Sequence, residues 1–246
     1  MTTHANESGL VVNSVNANYQ KVAFHYDLVV NRGECLGIVG PSGSGKSTLL
    51  SLIAGFTPVS EGDIRVNGRS IVYEKAFDRP VTEVFQANNL FAHLTLRQNI
   101  GLGIHPDLKL SAAQWQQVDH ALEDVGLETL GARLPSALSG GQQSRAALAR
   151  ALLRDRPVLL LDEPLAALGP AQRQTMLKLI RQMIETRKMC GLLVSHQPDE
   201  LITTCDRIAF ISEGRIVWIG PPNELNAEEA PQVIRAYLGD RESPRG

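Results

Sequence analysis

Cysteine is scarce in this chain. Cys35, Cys190 and Cys205 are the three present, without the number for a disulfide framework or the spacing of metal ligands, so buried thiols in a reducing compartment are expected. Long apolar runs are missing as well. None approaches the ~20 residues a helix needs to cross a bilayer, so any membrane attachment must come from another chain. The stretch Met1 to Ser8 is polar; it has neither a basic n-region nor an apolar h-region, and no signal peptide is expected. Excess charge of one sign is absent too. The net charge is −2, which argues against a nucleic-acid surface or an anionic membrane surface. There is no internal repeat, low-complexity tract or interdomain linker. What remains is an ordinary soluble composition, 43% hydrophobic and 20% charged over 246 residues, enough for one large domain with ample core.

The most informative stretch is Gly40-Pro41-Ser42-Gly43-Ser44-Gly45-Lys46-Ser47-Thr48. It matches G-x-x-x-x-G-K-[ST], the phosphate-binding loop. Its context fits, because Cys35 to Val39 reads as a buried strand and Leu49 to Ala54 as a helix. Glycines let the backbone curl its N–H groups toward phosphate oxygens, and the following helix adds its N-terminal dipole. Lys46 is expected to reach the β- and γ-phosphates of a nucleoside triphosphate, and the Ser47 hydroxyl to bind Mg²⁺.

Other candidates stand at predicted strand ends. Val81 to Phe85 reads as a buried strand ending in Gln86, placed to contact Mg²⁺ or a water, or merely a solvated loop residue. Val158 to Leu161 ends in Asp162-Glu163. Two acids there are costly unless a cation or polar site receives them. Asp162 suits Mg²⁺ and Glu163 an attacking water. Gly191 to Val194 ends in Ser195-His196; the imidazole either bonds a γ-phosphate or is structural. Tyr19 lies in the turn between strands Leu10 to Ala17 and Val22 to Val30, where its ring either stacks on a purine or packs at a hairpin. Further strands are expected over Gly62 to Asn67, Asp206 to Ser212 and Gly214 to Gly220, with turns at Asn67-Gly68 and Glu213-Gly214.

From Ala87 to Arg154 strand signals vanish, which predicts a helical insert. Leu96 to Leu102 suggests a short helix. Ser111 to Val125 is amphipathic, with Trp115, Val118, Leu122 and Val125 on one stripe and Ser111 as cap. Ser139 with Gln142 fits a capping box, and Gly140 and Gly141 bare N–H groups at a helix start, which suits an anion. Pro170 starts a long helix with Met176, Leu179, Ile180, Met183 and Ile184 as its core stripe, and Ala230 to Leu238 reads as a terminal helix.

In this order the motifs resemble the ATP-binding subunit of ABC transporters, over about residues 10 to 238. Leu138 to Gln142 corresponds to the LSGGQ signature, Gln86 to the Q-loop, Asp162-Glu163 to Walker B and His196 to the H-loop. The resemblance implies an α/β fold: a P-loop NTPase (RecA-like) core with a β-rich N-terminal subdomain and an inserted α-helical subdomain. Residues 1–246 would form a single ATP-binding domain, with 1–86 and 155–246 as core and 87–154 as helical subdomain. It further implies an ATPase using ATP and Mg²⁺, with Lys46, Gln86, Glu163 and His196 as catalytic residues and Ser47, Gln86 and Asp162 at the metal. Tyr19 would stack on adenine. A second subunit would pair head to tail, most simply as a homodimer, so that Ser139 and Gly141 reach the γ-phosphate in trans. An integral membrane permease would be the direct partner at the cytoplasmic face of the inner membrane, and a periplasmic or extracellular solute-binding protein an indirect one.

Phe85 to Thr95, Gln98 to Gly103, Leu108-Lys109-Leu110 and Ala132 to Pro135 are similar to bacterial thiamine import ATP-binding proteins, and the chain leaves no room for the C-terminal regulatory domain of sugar-import relatives. Importers of ferric iron, sulfate, molybdate or polyamines share the same core motifs. A soluble ABC ATPase usually has two cassettes or a coiled-coil insert, and neither is here. A GTPase would carry N-K-x-D, which is absent. One departure stands out: where the family reads S-A-L-D, this chain reads Ala166-Ala167-Leu168-Gly169, which bears on how tightly paired ATP sites are coordinated.

Overall fold

A computed structural model describes residues 8–19, 22–85, 89–225 and 230–239. One sheet of ten strands runs through them. In chain order the strands are β1 (Ser8–Tyr19), β2 (Val22–Asn31), β3 (Cys35–Val39), β4 (Glu61–Val66), β5 (Arg69–Ser70), β6 (Val81–Val84), β7 (Val158–Asp162), β8 (Cys190–Val194), β9 (Arg207–Ser212) and β10 (Arg215–Gly220). In space their order is β5-β4-β1-β2-β10-β9-β3-β8-β7-β6. The block β9-β3-β8-β7-β6 is parallel throughout, whereas β5-β4-β1-β2 is antiparallel.

Sequence decides which strand goes where. Cys35–Val39 and Cys190–Val194 are apolar at every position and buried at every position, as a strand covered on both faces must be. In β2 burial alternates, with Phe24, Tyr26, Leu28 and Val30 inward, which suits a sheet wetted on one side. The turn at Asn67-Gly68 has positive φ at both residues, 51° and 81°, and the Glu213-Gly214 turn repeats this at 48° and 75°. Both are the tight hairpin geometry that asparagine and glycine favour.

The α-helices among the described residues are α1 (Lys46–Ala54), α2 (Leu96–Gly101), α3 (Ala112–Asp124), α4 (Gly140–Leu153), α5 (Pro170–Arg187), α6 (Pro198–Thr204) and α7 (Gln232–Leu238). The stretch expected to be helical holds α2, α3 and α4 and no strand among its described residues. Each of these three opens with a complete capping box: Thr95 with Gln98, Ser111 with Gln114, and Ser139 with Gln142. Successive residues of β7 feed two cores. Leu159 and Leu161 join the cluster that holds α3, α4 and α5, while Val158 and Leu160 join the one around α1 and the antiparallel strands.

Some expectations shift. Tyr19 is the last residue of β1, paired with Val22, rather than part of the turn. Strand β6 stops at Val84, before Phe85. On α5, Leu177 is buried alongside Met176, Ile180 and Ile184, while Leu179 and Met183 are only partly covered. The two-residue β5 and the seven-residue α6 have too little sequence to show a period. The three cysteines are free and buried, and burial pushes the Cys190 thiol up to about 12.

Arg79 and Glu83 are two of the charged side chains that enter this interior. Arg79 is 3% exposed and donates to the carbonyls of Leu52 (2.7 Å), Ile53 (2.9 Å), Val72 (3.0 Å) and Glu74 (3.1 Å), tying the C-terminal end of α1 to the segment before β6. Arg79→Met strands those carbonyls and is expected to cost roughly 3 kcal/mol, read as a lower denaturant midpoint. Glu83, on β6, has a buried Oε2 without a hydrogen-bond partner. Burial raises its carboxyl from 4.5 to about 7, and Asp162 adds to the rise. The folded form therefore holds the proton more tightly, and this contribution is lost as pH climbs from 4.5 through about 7. At ~1.4 kcal/mol per pKa unit, Glu83→Gln should raise stability by up to about 3 kcal/mol at pH 8 and by little at pH 4.5. Thermal melts of both proteins at the two pH values check this; an equal gain at both contradicts it.

Candidate nucleotide-binding site

The register of the parallel block assembles the site. Ile38 of β3 lies opposite Val194 of β8, and Val194 lies opposite Asp162 of β7. One residue earlier on β7, Leu161 faces Val84 of β6. Four neighbouring strands thus end together, and four loops leave from one edge, where open α/β sheets bind ligands. The loop after β3 is Gly40–Ser44, leading through Gly45 into α1. The loop after β7 starts at Glu163, and the loop after β8 holds Ser195 and His196. Gln86 would follow β6 but lies outside the described residues. The backbone of Tyr19 ends β1; its ring is likewise outside what is described.

The phosphate loop is shaped by close approaches. A Cβ on Gly40 would stand 2.1 Å from the Ile211 carbonyl. Gly45, with φ +110°, would place one 2.4 Å from the Tyr26 hydroxyl, and that hydroxyl donates to the Gly45 carbonyl at 2.8 Å. The loop is thus pressed onto β2 from below while Pro41, Ser42 and Gly43 stay exposed above. Lys46 is buried, and its ammonium donates to the carbonyls of Gly40 and Pro41, both at 2.8 Å. Burial holds it below the ordinary lysine value, with Glu163 and Asp162 pulling the other way. The Ser44 hydroxyl is buried without a partner. Ser47 is exposed at the first turn of α1 and Thr48 is half-buried beside it.

Asp162 and Glu163 are half-buried. The Glu163 backbone adopts φ +48°, a left-handed conformation uncommon outside glycine, asparagine and aspartate, and its N–H donates to the Val194 carbonyl at 3.2 Å. That turn aims its carboxylate at the neighbouring loop, where Oε1 lies 2.6 Å from His196 Nε2. Imidazole and carboxylate therefore face one another over the same strand ends as the phosphate loop.

The Ser139–Gln142 turn opens α4. The Ser139 hydroxyl accepts from the Gln142 N–H at 3.3 Å, and the Gln142 side chain accepts from the Ser139 N–H at 2.9 Å. A Cβ on Gly141 would stand 3.0 Å from Leu168, and one on Gly140 3.5 Å from Ala167. Both glycines pack on the loop that follows Glu163.

An orphaned hydroxyl, a lysine with only backbone carbonyls for partners and curled glycine backbone fit a polyphosphate. The Ser47 hydroxyl and the Asp162 carboxylate are hard oxygen donors of the kind Mg²⁺ takes. No group of three or more His, Cys, Asp or Glu side chains that could hold a metal exists among the described residues. Sequence reasoning missed the residues that brace the site. Tyr26 was visible as an inward position of the alternating β2. Arg173 and Glu200, which stand behind the His196 loop, carry no local pattern, since their pairing joins two helices.

Comparisons with known proteins agree with this geometry. Residues 24–166, more than half the chain, match the family model for the ABC transporter. The chain is 42% identical to the thiamine import ATP-binding protein ThiQ of Vibrio parahaemolyticus, over 93% of this chain and 98% of that protein. It is 44% identical to the ThiQ protein of Brucella abortus, over 94% and 96%, and 50% identical to that of Histophilus somni, over 80% and 92%. Among solved structures it resembles the dimeric post-hydrolysis state of the ATP-binding cassette MJ0796 bound to ADP and Pi. The TM-score is 0.79 at 26% identity, covering 87% of this chain and 98% of that one. The fold is that of an ABC ATPase, and the chain belongs to the ABC transporter family.

Proposed function

We propose that this chain is the ATP-hydrolysing subunit of an importer and that its cargo is thiamine or a thiamine phosphate ester. The observation that carries the ATPase reading is the common strand edge, where the phosphate loop, Asp162, Glu163 and His196 meet. The substrate reading is supported by relatives named as thiamine import ATP-binding proteins that align along nearly their whole length.

The triphosphate of ATP lies in the loop Gly40–Thr48, held by its N–H groups. Lys46 exchanges the carbonyls of Gly40 and Pro41 for β- and γ-phosphate oxygens, a trade its low-lying ammonium favours once anions arrive. Tyr19 stacks on the adenine. Ser47, Asp162 and Gln86 hold Mg²⁺, which when bound neutralises charge on the phosphate oxygens. Glu163 accepts the proton of the attacking water, and His196 holds the γ-phosphate. Their present contact at 2.6 Å opens to admit the reacting atoms between them. A second copy, paired head to tail, brings its Ser139, Gly140, Gly141 and Gln142 to the same γ-phosphate, so each site is completed by the partner's helix start. The helical segment 87–154 and Gln86 transmit closure to a membrane permease at the cytoplasmic face of the inner membrane, with a solute-binding protein on the far side. No helix among the described residues is long and apolar enough to cross a membrane.

Two measurements test this. Glu163→Gln should keep ATP binding while hydrolysis by the assembled transporter falls by about 100-fold or more; a hydrolysis rate near that of the parent removes Glu163 from the role of base. Uptake of labelled thiamine in the source cell should collapse with Lys46→Ala. If uptake persists in a strain without a second thiamine importer, the cargo is another solute.

A further inference from the structure

A chain of polar contacts runs behind the His196 loop. The Ser195 hydroxyl, next to His196, donates to Glu200 Oε2 at 2.6 Å and accepts from the Gln197 N–H at 3.0 Å. Glu200 sits in the first turn of α6, and its other oxygen pairs with Arg173 Nε of α5 at 3.2 Å. Both side chains are largely shielded, 16% exposed for Arg173 and 14% for Glu200. Arg173 in turn donates through its second terminal nitrogen to the Leu168 carbonyl at 3.0 Å. Leu168 and Ala167 are the residues on which Gly141 and Gly140 pack. The contacts thus lead without a break from the imidazole loop at one end to the Ser139–Gln142 turn at the other, within a single chain.

We propose that Ser195, Glu200 and Arg173 are positioning residues forming a relay that couples a subunit's own nucleotide site to its own Ser139–Gln142 turn, the surface that serves the second site. The inference rests on the nucleotide-site reading above. Its physical basis is stiffness. Glu200 Oε1 faces Arg173 Nε as an ion pair without a hydrogen bond, while Glu200 Oε2 and Arg173 Nη2 are each hydrogen-bonded to a loop. A shielded pair anchored at both ends has few alternative arrangements, so a shift of the His196 loop moves Glu200 and Arg173 and, through the Leu168 carbonyl, the loop under the two glycines. The relay matters more in this chain because Gly169 supplies no side chain at the start of α5 and no capping contact there. The loop Pro164–Leu168 is thus held from Arg173 without help from a side chain at the helix start.

The test uses the full chain carrying Glu163→Gln, at a concentration where it is monomeric, so that no partner touches the turn. Amide hydrogen exchange is followed with and without Mg-ATP. Exchange across residues 40–48 should slow in every variant. Across residues 139–142 the exchange should change by about threefold or more in the reference protein and stay unchanged in Arg173→Met/Glu200→Gln, which removes both charges and strands neither. Ser195→Ala, cutting the other end, should give the same loss. In the assembled transporter with Glu163 intact, the double variant should lower kcat and leave the KM for ATP unchanged. Equal responses at 139–142 with and without the relay overturn the proposal. So does a reference protein that responds at 40–48 but not at 139–142. If 40–48 itself fails to respond, the nucleotide-site reading falls and the relay falls with it.

Discussion

The parallel register of β3, β8 and β7 is the constraint on which the molecule's chemistry depends. Each of these strands is buried on both faces and so cannot slip by one residue without turning its side chains into the wrong core. That rigidity fixes the strand ends, and the strand ends fix Gly40, Glu163 and His196 relative to one another to within the reach of a phosphate chain. Loops alone could not hold a carboxylate 2.6 Å from an imidazole with such economy. The positive φ at Glu163 is a local cost of this arrangement, carried by a scaffold that has no freedom to relax it.

Around that scaffold the polar interior is divided by purpose. Arg79 satisfies carbonyls at the far end of α1, and Tyr26 supports the Gly45 carbonyl at its near end. The helix that carries Lys46 and Ser47 is thus pinned at both ends by side chains from other elements. Glu83 stands apart, because its carboxyl is buried on the edge strand of the same block with an oxygen lacking a partner.

Much of this was legible in the sequence. The phosphate loop, the two acids at the end of β7 and the histidine after β8 each follow a short, continuously apolar run, and such runs identify buried parallel strands from sequence. The cap at Ser111 and the capping box at Ser139 were readable because capping is a local contact between residues three apart. What escaped was long-range. The Glu200–Arg173 pair joins two successive helices across an intervening strand, and the seat of Gly141 on Leu168 depends on how a helix start meets a loop. Elements such as β5 and α6 escaped for a simpler reason: two or seven residues do not complete enough repeats for a period to emerge.

The three capping boxes have a consequence for movement. A helix whose first N–H groups are satisfied by its own residues carries those bonds with it when it is displaced, whereas a helix capped by a neighbour must break them. Helices α3 and α4 are of the first kind, whereas in α2 the Leu96 and Arg97 N–H groups donate to the Arg133 and Gly131 carbonyls of the same helical stretch. The three can therefore swing together with these helix-start bonds intact, while the hydrogen bond from Arg187 of α5 to the Leu152 carbonyl of α4 would have to give. What otherwise resists such a swing is the apolar packing beneath them, a greasy bearing rather than a latch.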